Sequence, residues 1–135
     1  MEELGSLLNL ISDWHPLAII ITLIWACGLC AGIMNNFSFT AAIVIIIQAF
    51  MARHGAFVDS SAMQETLWWA LALAVCLGGN LTAVGAAANL CTISIAKKGG
   101  QDISFKTFSM YSLQITIVTF ILTSVYIAIR YWLVV

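Results

Sequence analysis

From Leu67 to Ala96 the chain runs without a charge, yet Gly78-Gly79-Asn80 interrupts that run near its middle. So long an apolar run reads as a membrane segment. In water, Gly-Gly-Asn would be an ordinary helix stop. In lipid, the backbone amides and carbonyls freed by a break find no water. An unwound stretch then persists only where protein or a polar cavity satisfies them. Secondary transporters often hold substrates and ions at such breaks, near the bilayer midplane. The fold must therefore supply partners for this break, and a ligand site is first sought there. A kink with packing value only is the bland alternative.

Composition agrees with a membrane setting. Of 135 residues, 62% are hydrophobic and 8% charged, which indicates a polytopic membrane protein. The net charge is -1 and no basic patch exists, so nothing points to nucleic acid. The start, Met1-Glu2-Glu3, is acidic and lacks the positive n-region of a signal peptide. Cys27, Cys30, Cys76 and Cys91 all lie in apolar segments and read as small membrane-compatible side chains. Cys27-x-x-Cys30 has no second Cys or His cluster to complete a soft-metal or arsenite site.

Taken in order, the chain predicts an all-α transmembrane unit over residues 1–135. Glu2 to Trp14 is expected along the interface, and Trp14-His15-Pro16 marks an entry, with Pro suited to a first helical turn. Residues 16–52 read as a helical hairpin, with apolar arms Leu17–Met34 and about Phe39–Ala52. Its tip, Asn35-Asn36-Phe37-Ser38, has turn and N-cap chemistry. Length admits both two full crossings and a re-entrant hairpin with a buried tip. Gly55 to Thr66 reads as a polar connector. The broken helix covers 66–97, its second half starting near Thr82 and stopping at Lys97-Lys98-Gly99-Gly100. Residues 107–135, from about Phe108, form a last helix long enough to span with tilt.

The Lys97–Lys106 loop, set against Arg53 and Arg130, is expected in the cytoplasm, with both termini outside. Trp14, Trp68, Trp69 and Trp132 then share the outer interface. The location implied is a cell membrane, inner or plasma, crossed several times.

No Asp, Glu, Lys, Arg or His lies within an apolar segment away from its ends, so a proton pump or voltage sensor is disfavoured. Helix N-termini near Ser38 and Thr82 would present unpaired amides and partial positive charge to a small anion. Alternatively, the carbonyls of Leu77, Gly78 and Gly79 with Asn80 and Thr82 oxygens suit a sodium ion. Thr82 and Asn89, seven apart, are expected on one helical face, with Gly85 and Ala86 letting another backbone approach. Asn36-Phe37-Ser38 and Asn80-Leu81-Thr82 match a glycosylation pattern, but no transferase reaches membrane depth. With no activated nucleophile, paired carboxylate or metal cluster, an enzyme is the least favoured reading.

The stretch Leu71-Ala72-Leu73-Ala74-Val75-Cys76-Leu77-Gly78-Gly79-Asn80-Leu81-Thr82-Ala83-Val84-Gly85-Ala86-Ala87-Ala88-Asn89 resembles the signature of the ion transporter superfamily. The relevant branch holds arsenite permeases, citrate-type permeases and sodium/proton antiporters. Asn35-Asn36-Phe37-Ser38-Phe39-Thr40 falls where that family has an Asp-Asn-x-Pro-x-Thr hairpin tip, and Ile103-Ser104-Phe105 is similar to the family's end. The resemblance implies a re-entrant hairpin meeting the broken helix at the substrate and ion site. It carries Asn36 and Thr40 to the tip, and Gly79, Asn80, Thr82 and Asn89 to the break. Asn35 stands in place of the family's Asp, and Ser38 in place of Pro.

By the same resemblance, the chain matches the later part of the second of two inverted repeats. It is expected to be the C-terminal part of a secondary transporter, a fragment or a split subunit, for a small anion or arsenite-like substrate coupled to sodium or protons. It would hold half a site. Its expected partners are the lipid bilayer, the missing transporter half or further copies of itself, and the substrate. The alternative is a small membrane interaction protein, or a degenerate fragment, that no longer transports.

Overall fold

The computed structural model describes residues 15–134, and the expectations placed on Glu2–Trp14 fall outside them. Six helices follow in order: α1 Pro16–Ile33, α2 Asn36–Met51, α3 Gly55–Val58, α4 Ser61–Gly78, α5 Ala87–Lys98 and α6 Phe105–Val134. The described residues are all-α, with α1 and α2 forming the hairpin and α4 and α5 the two halves of the broken helix. Among the described residues two helices, α1 and α6, are long and apolar enough to cross a membrane.

Local chemistry sets the boundaries. Pro16 opens α1, where Leu17 N donates to His15 Nδ1 at 3.4 Å. Asn35 caps α2, its Oδ1 accepting from Phe37 N at 3.0 Å. This cap starts α2 at Asn36, so Asn36, Ser38 and Thr40 lie in its first turns rather than on a loop. The expected connector Gly55–Thr66 is largely helical. Phe57 on α3 is fully buried, and Ser60 Oγ accepts from Met63 N at 3.3 Å to start α4 at Ser61. Ser104 Oγ accepts from Thr107 N at 3.1 Å, which moves the start of α6 from about Phe108 to Phe105.

The core is a three-helix contact of α1, α4 and α6, with α2 leaning on α1 and α4. Backbones meet directly where α1 crosses α4. Gly28 and Gly32 lie one turn apart on α1, facing Gly78 on α4, and all three are buried. A Cβ on Gly32 would stand 2.6 Å from the Gly78 carbonyl oxygen, and one on Gly78 would run into the Gly28 carbonyl. In lipid no hydrophobic force draws helices together, so small residues that bring backbones into dispersion contact do that work. From the third side, the Phe120 ring of α6 fills the space beside Gly28. The opposite side of α6 exposes Ile115, Val118, Leu122, Val125 and Ile129, an apolar stripe suited to acyl chains.

Candidate functional site

α4 stops at Gly78 and α5 starts at Ala87, so the break spans eight residues, Gly79–Ala86. It is longer than Gly-Gly-Asn, and α5 begins five residues later than the expected Thr82. The cause is side-chain competition for the backbone. Thr82 Oγ1 donates to Gly32 O at 2.6 Å and accepts from Gly85 N at 3.1 Å, bonds that a helical Thr82 could not make. Thr82 and Asn89 therefore do not share a helical face. Instead Asn89 reaches back from the first turn of α5, its Nδ2 donating to Gly79 O at 3.0 Å and Thr82 O at 2.9 Å. Asn89 is the one buried residue of α5 and closes the break like a strap.

The hairpin tip docks on this loop. Asn36 N, the first helical amide of α2, donates to Gly85 O at 2.9 Å. The Asn36 side chain lies so near Gly79 that a Cβ there would stand 2.8 Å from Nδ2. A Cβ on Gly85 would stand 2.5 Å from Gly79 O. Glycine at 79 and 85 is thus a matter of space, not of unusual backbone angles.

Of the residues singled out from sequence, Asn35, Asn36, Gly79, Thr82 and Asn89 come together here. Thr40 joins through Asn36, its Oγ1 donating to Asn36 O at 2.7 Å. Gly78 belongs to the α1–α4 contact. Ser38 and Asn80 are exposed. The carbonyls expected to be free are engaged, Leu77 O by Asn80 N at 3.2 Å and Gly78 O by Leu81 N at 2.9 Å. Each retains a second lone pair. Gly28 and Gly32 escaped sequence reasoning, although Gly-x-x-x-Gly spacing in an apolar helix was the signal that could have found them.

The N-terminus of α5 has no side-chain cap, since Ala86 occupies the cap position. Ala87 and Ala88 at its start are exposed. The start of α2 lies beside it through the Asn36–Gly85 bond, so two positive helix ends converge on one uncharged surface.

Depth follows from register. α1 and α6 run antiparallel: the His15 ring meets Tyr131, Trp25 Nε1 donates to Ser124 Oγ at 3.3 Å, and Gly28 lies under Phe120. Continuing that register sets the tip level with about Leu113. Lys106 is then about 10 Å farther along α6 at 1.5 Å per residue. α6 itself runs about 45 Å, more than the roughly 30 Å of a hydrocarbon core.

Membrane-length helices around a break strapped by its own side chains define a multi-pass membrane protein, consistent with a plasma or inner membrane. No family model matches the chain, and no solved structure does. Over 131 residues it is 30% identical to a protein of Mycobacterium leprae named a 46 kDa membrane protein, an alignment covering 97% of this chain and 30% of that relative. It is 36% identical over 102 residues to an uncharacterized transporter of Mycobacterium tuberculosis, covering 76% of this chain and 23% of the relative. It is also 32% identical over 108 residues to the P protein of Homo sapiens, covering 79% and 12%. The chain thus spans at most 30% of the length of these curated relatives. Several such relatives are named as transporters.

Proposed function

We propose that this chain carries half of the substrate and ion site of a secondary transporter of the ion transporter superfamily, in its arsenite, citrate or antiporter branch. The observation that carries this reading is the docking of the hairpin tip on the break, through Asn36 N to Gly85 O, about 10 Å inside the level of Lys106. A tip at that depth supports a re-entrant hairpin, with Lys97, Lys98 and Lys106 on the cytoplasmic side and the C-terminus outside. Residues 16–52, 66–97 and 107–135 then correspond to the hairpin, broken helix and last helix of a second inverted repeat.

The substrate this surface suits is a small anion. The α2 and α5 N-termini attract it, exposed Ser38 and Asn80 offer hydrogen bonds, and no carboxylate repels it. Sodium, as the coupling ion, would use Asn80, the second lone pair of Gly78 O or Gly79 O, and what Thr82 Oγ1 has left after its two bonds. The surface is open on the α5 side, and the missing half, from a second polypeptide or a second copy, would close it.

Cysteine protection tests this. In a background with Cys30, Cys76 and Cys91 replaced, Asn80→Cys or Asn36→Cys is labelled in membranes containing the partner half. Arsenite, a di- or tricarboxylate or another oxyanion should slow labelling in a sodium- or proton-dependent manner. If no candidate anion protects either position, the reading fails. One observation favours a non-transporting interaction protein as second reading: a tip whose Asn35 keeps the cap but has no titratable group. Unchanged labelling with a normally assembled partner would select it.

A further inference from the structure

At the opposite end of α4 from the break, a groove runs down the outside of the bundle between α4 and α6. The groove is lined by Trp69, Leu73, Leu122, Thr123 and Tyr126. Above it, toward the start of α4, a shallow hollow on α4 itself is lined by Glu65, Trp68, Trp69 and Ala72, and Trp69 borders both. Arg130 stands at the upper rim, Nη2 3.4 Å from Glu65 Oε1, with 20% of its side chain exposed against 62% for Glu65. Arg130 Nε is buried without a hydrogen-bond partner among the described residues.

A guanidinium has five N–H donors; Nε is buried out of reach of a groove ligand, but one loose contact from Nη2 to an exposed carboxylate leaves the remaining Nη donors short of partners at a membrane interface. A second anionic group is the chemical complement. Arg130 and Glu65 together are neutral, and both point to the same rim. The matching ligand is therefore a zwitterion with an acyl chain, not an anion. A headgroup with a primary ammonium can donate hydrogen bonds to Glu65 while its phosphate meets Arg130 in charge-assisted bonds. A quaternary ammonium has no N–H to give, and an anionic headgroup would face Glu65 unfavourably. Trp68, Trp69 and Tyr126 are the residue types that settle at the headgroup level.

We propose that this groove binds one phosphatidylethanolamine molecule, with its ammonium on Glu65, its phosphate on Arg130 and one acyl chain along Trp69, Leu73, Leu122 and Tyr126. Such a lipid would tie α6 to α4 at the outer face, remote from the hairpin tip. The site does not depend on the transport reading.

The test uses the full chain in nanodiscs of equimolar phosphatidylethanolamine, phosphatidylcholine and phosphatidylglycerol with matched acyl chains, with retained lipid read by native mass spectrometry. Phosphatidylethanolamine should be enriched about tenfold over the bulk ratio, as one good charge-assisted bond implies. Glu65→Gln should bring it down to parity with phosphatidylcholine, and Arg130→Gln should abolish retention of any one lipid. Should Arg130→Gln not fold, Glu65→Gln decides, because that side chain is mostly exposed. Retention in the bulk ratio by the unaltered chain, or enrichment unchanged in Glu65→Gln, overturns the proposal.

Discussion

Asn89→Ala is the sharpest probe of the break. The substitution deletes both Nδ2 bonds, to Gly79 O at 3.0 Å and Thr82 O at 2.9 Å. Each buried carbonyl left unpaired costs about 1–3 kcal/mol. Thr82 O keeps a bond from Gly85 N at 3.2 Å, so its loss falls at the low end. Together the two give about 2–4 kcal/mol. The cost is local, because Gly79–Ala86 follows the end of α4 and meets α1 at its C-terminal end, through Thr82 and Gly32. Amide hydrogen exchange on detergent-solubilised protein reads it directly. Amides of the break should exchange at least about thirty-fold faster, the equivalent of 2 kcal/mol, while those at the centre of α6 hold their rate. Asn89→Asp keeps the shape but turns both donors into acceptors that face carbonyls, so it should loosen the break at least as much. Exchange in Asn89→Ala within about threefold of the unaltered chain would show that the strap contributes under 1 kcal/mol, and the reasoning would fall.

Glycine positions separate close contact from open space. Gly78→Ala must push α1 off α4 and should destabilise by about 2–4 kcal/mol in a denaturant melt, whereas Gly55→Ala, with nothing within 4 Å, should be neutral or stabilise by up to about 1 kcal/mol. Gly100 has φ 82°, so Gly100→Ala should cost about 1 kcal/mol and fray the end of α5, seen as faster exchange at Lys97 and Lys98. Thr116 is buried with no partner for its Oγ1 among the described residues, and Thr116→Val, nearly the same shape without the hydroxyl, should be neutral or raise stability; a loss above about 1 kcal/mol would reveal a bond to that oxygen.

What could be read from the chain was whatever depends on neighbours in sequence. An uncharged run set the membrane class. Pro16 set the start of α1, and Lys97-Lys98 followed by Gly99-Gly100 set the end of α5, because caps and breakers act within one turn. The break was foreseen at Gly78-Gly79-Asn80, where a helix has most to lose from residues lacking helix propensity. Its extent was not. Ala83, Ala86, Ala87 and Ala88 are strong helix formers by composition, and local propensity would have coiled the chain again by Thr82.

Tertiary structure overrode that preference through partners far away in the chain. Thr82 turns to Gly32, fifty residues back, and Gly85 holds the amide of Asn36, forty-nine residues back. Both bonds require α1 and α4 to lie backbone to backbone, which Gly28, Gly32 and Gly78 permit only once the helices have met. The chain alone thus determined that a break must be satisfied by something other than lipid. Which atoms satisfy it, and at what depth, was decided by packing, since a hydrogen bond depends on position in space and sequence spacing does not specify position across separate helices.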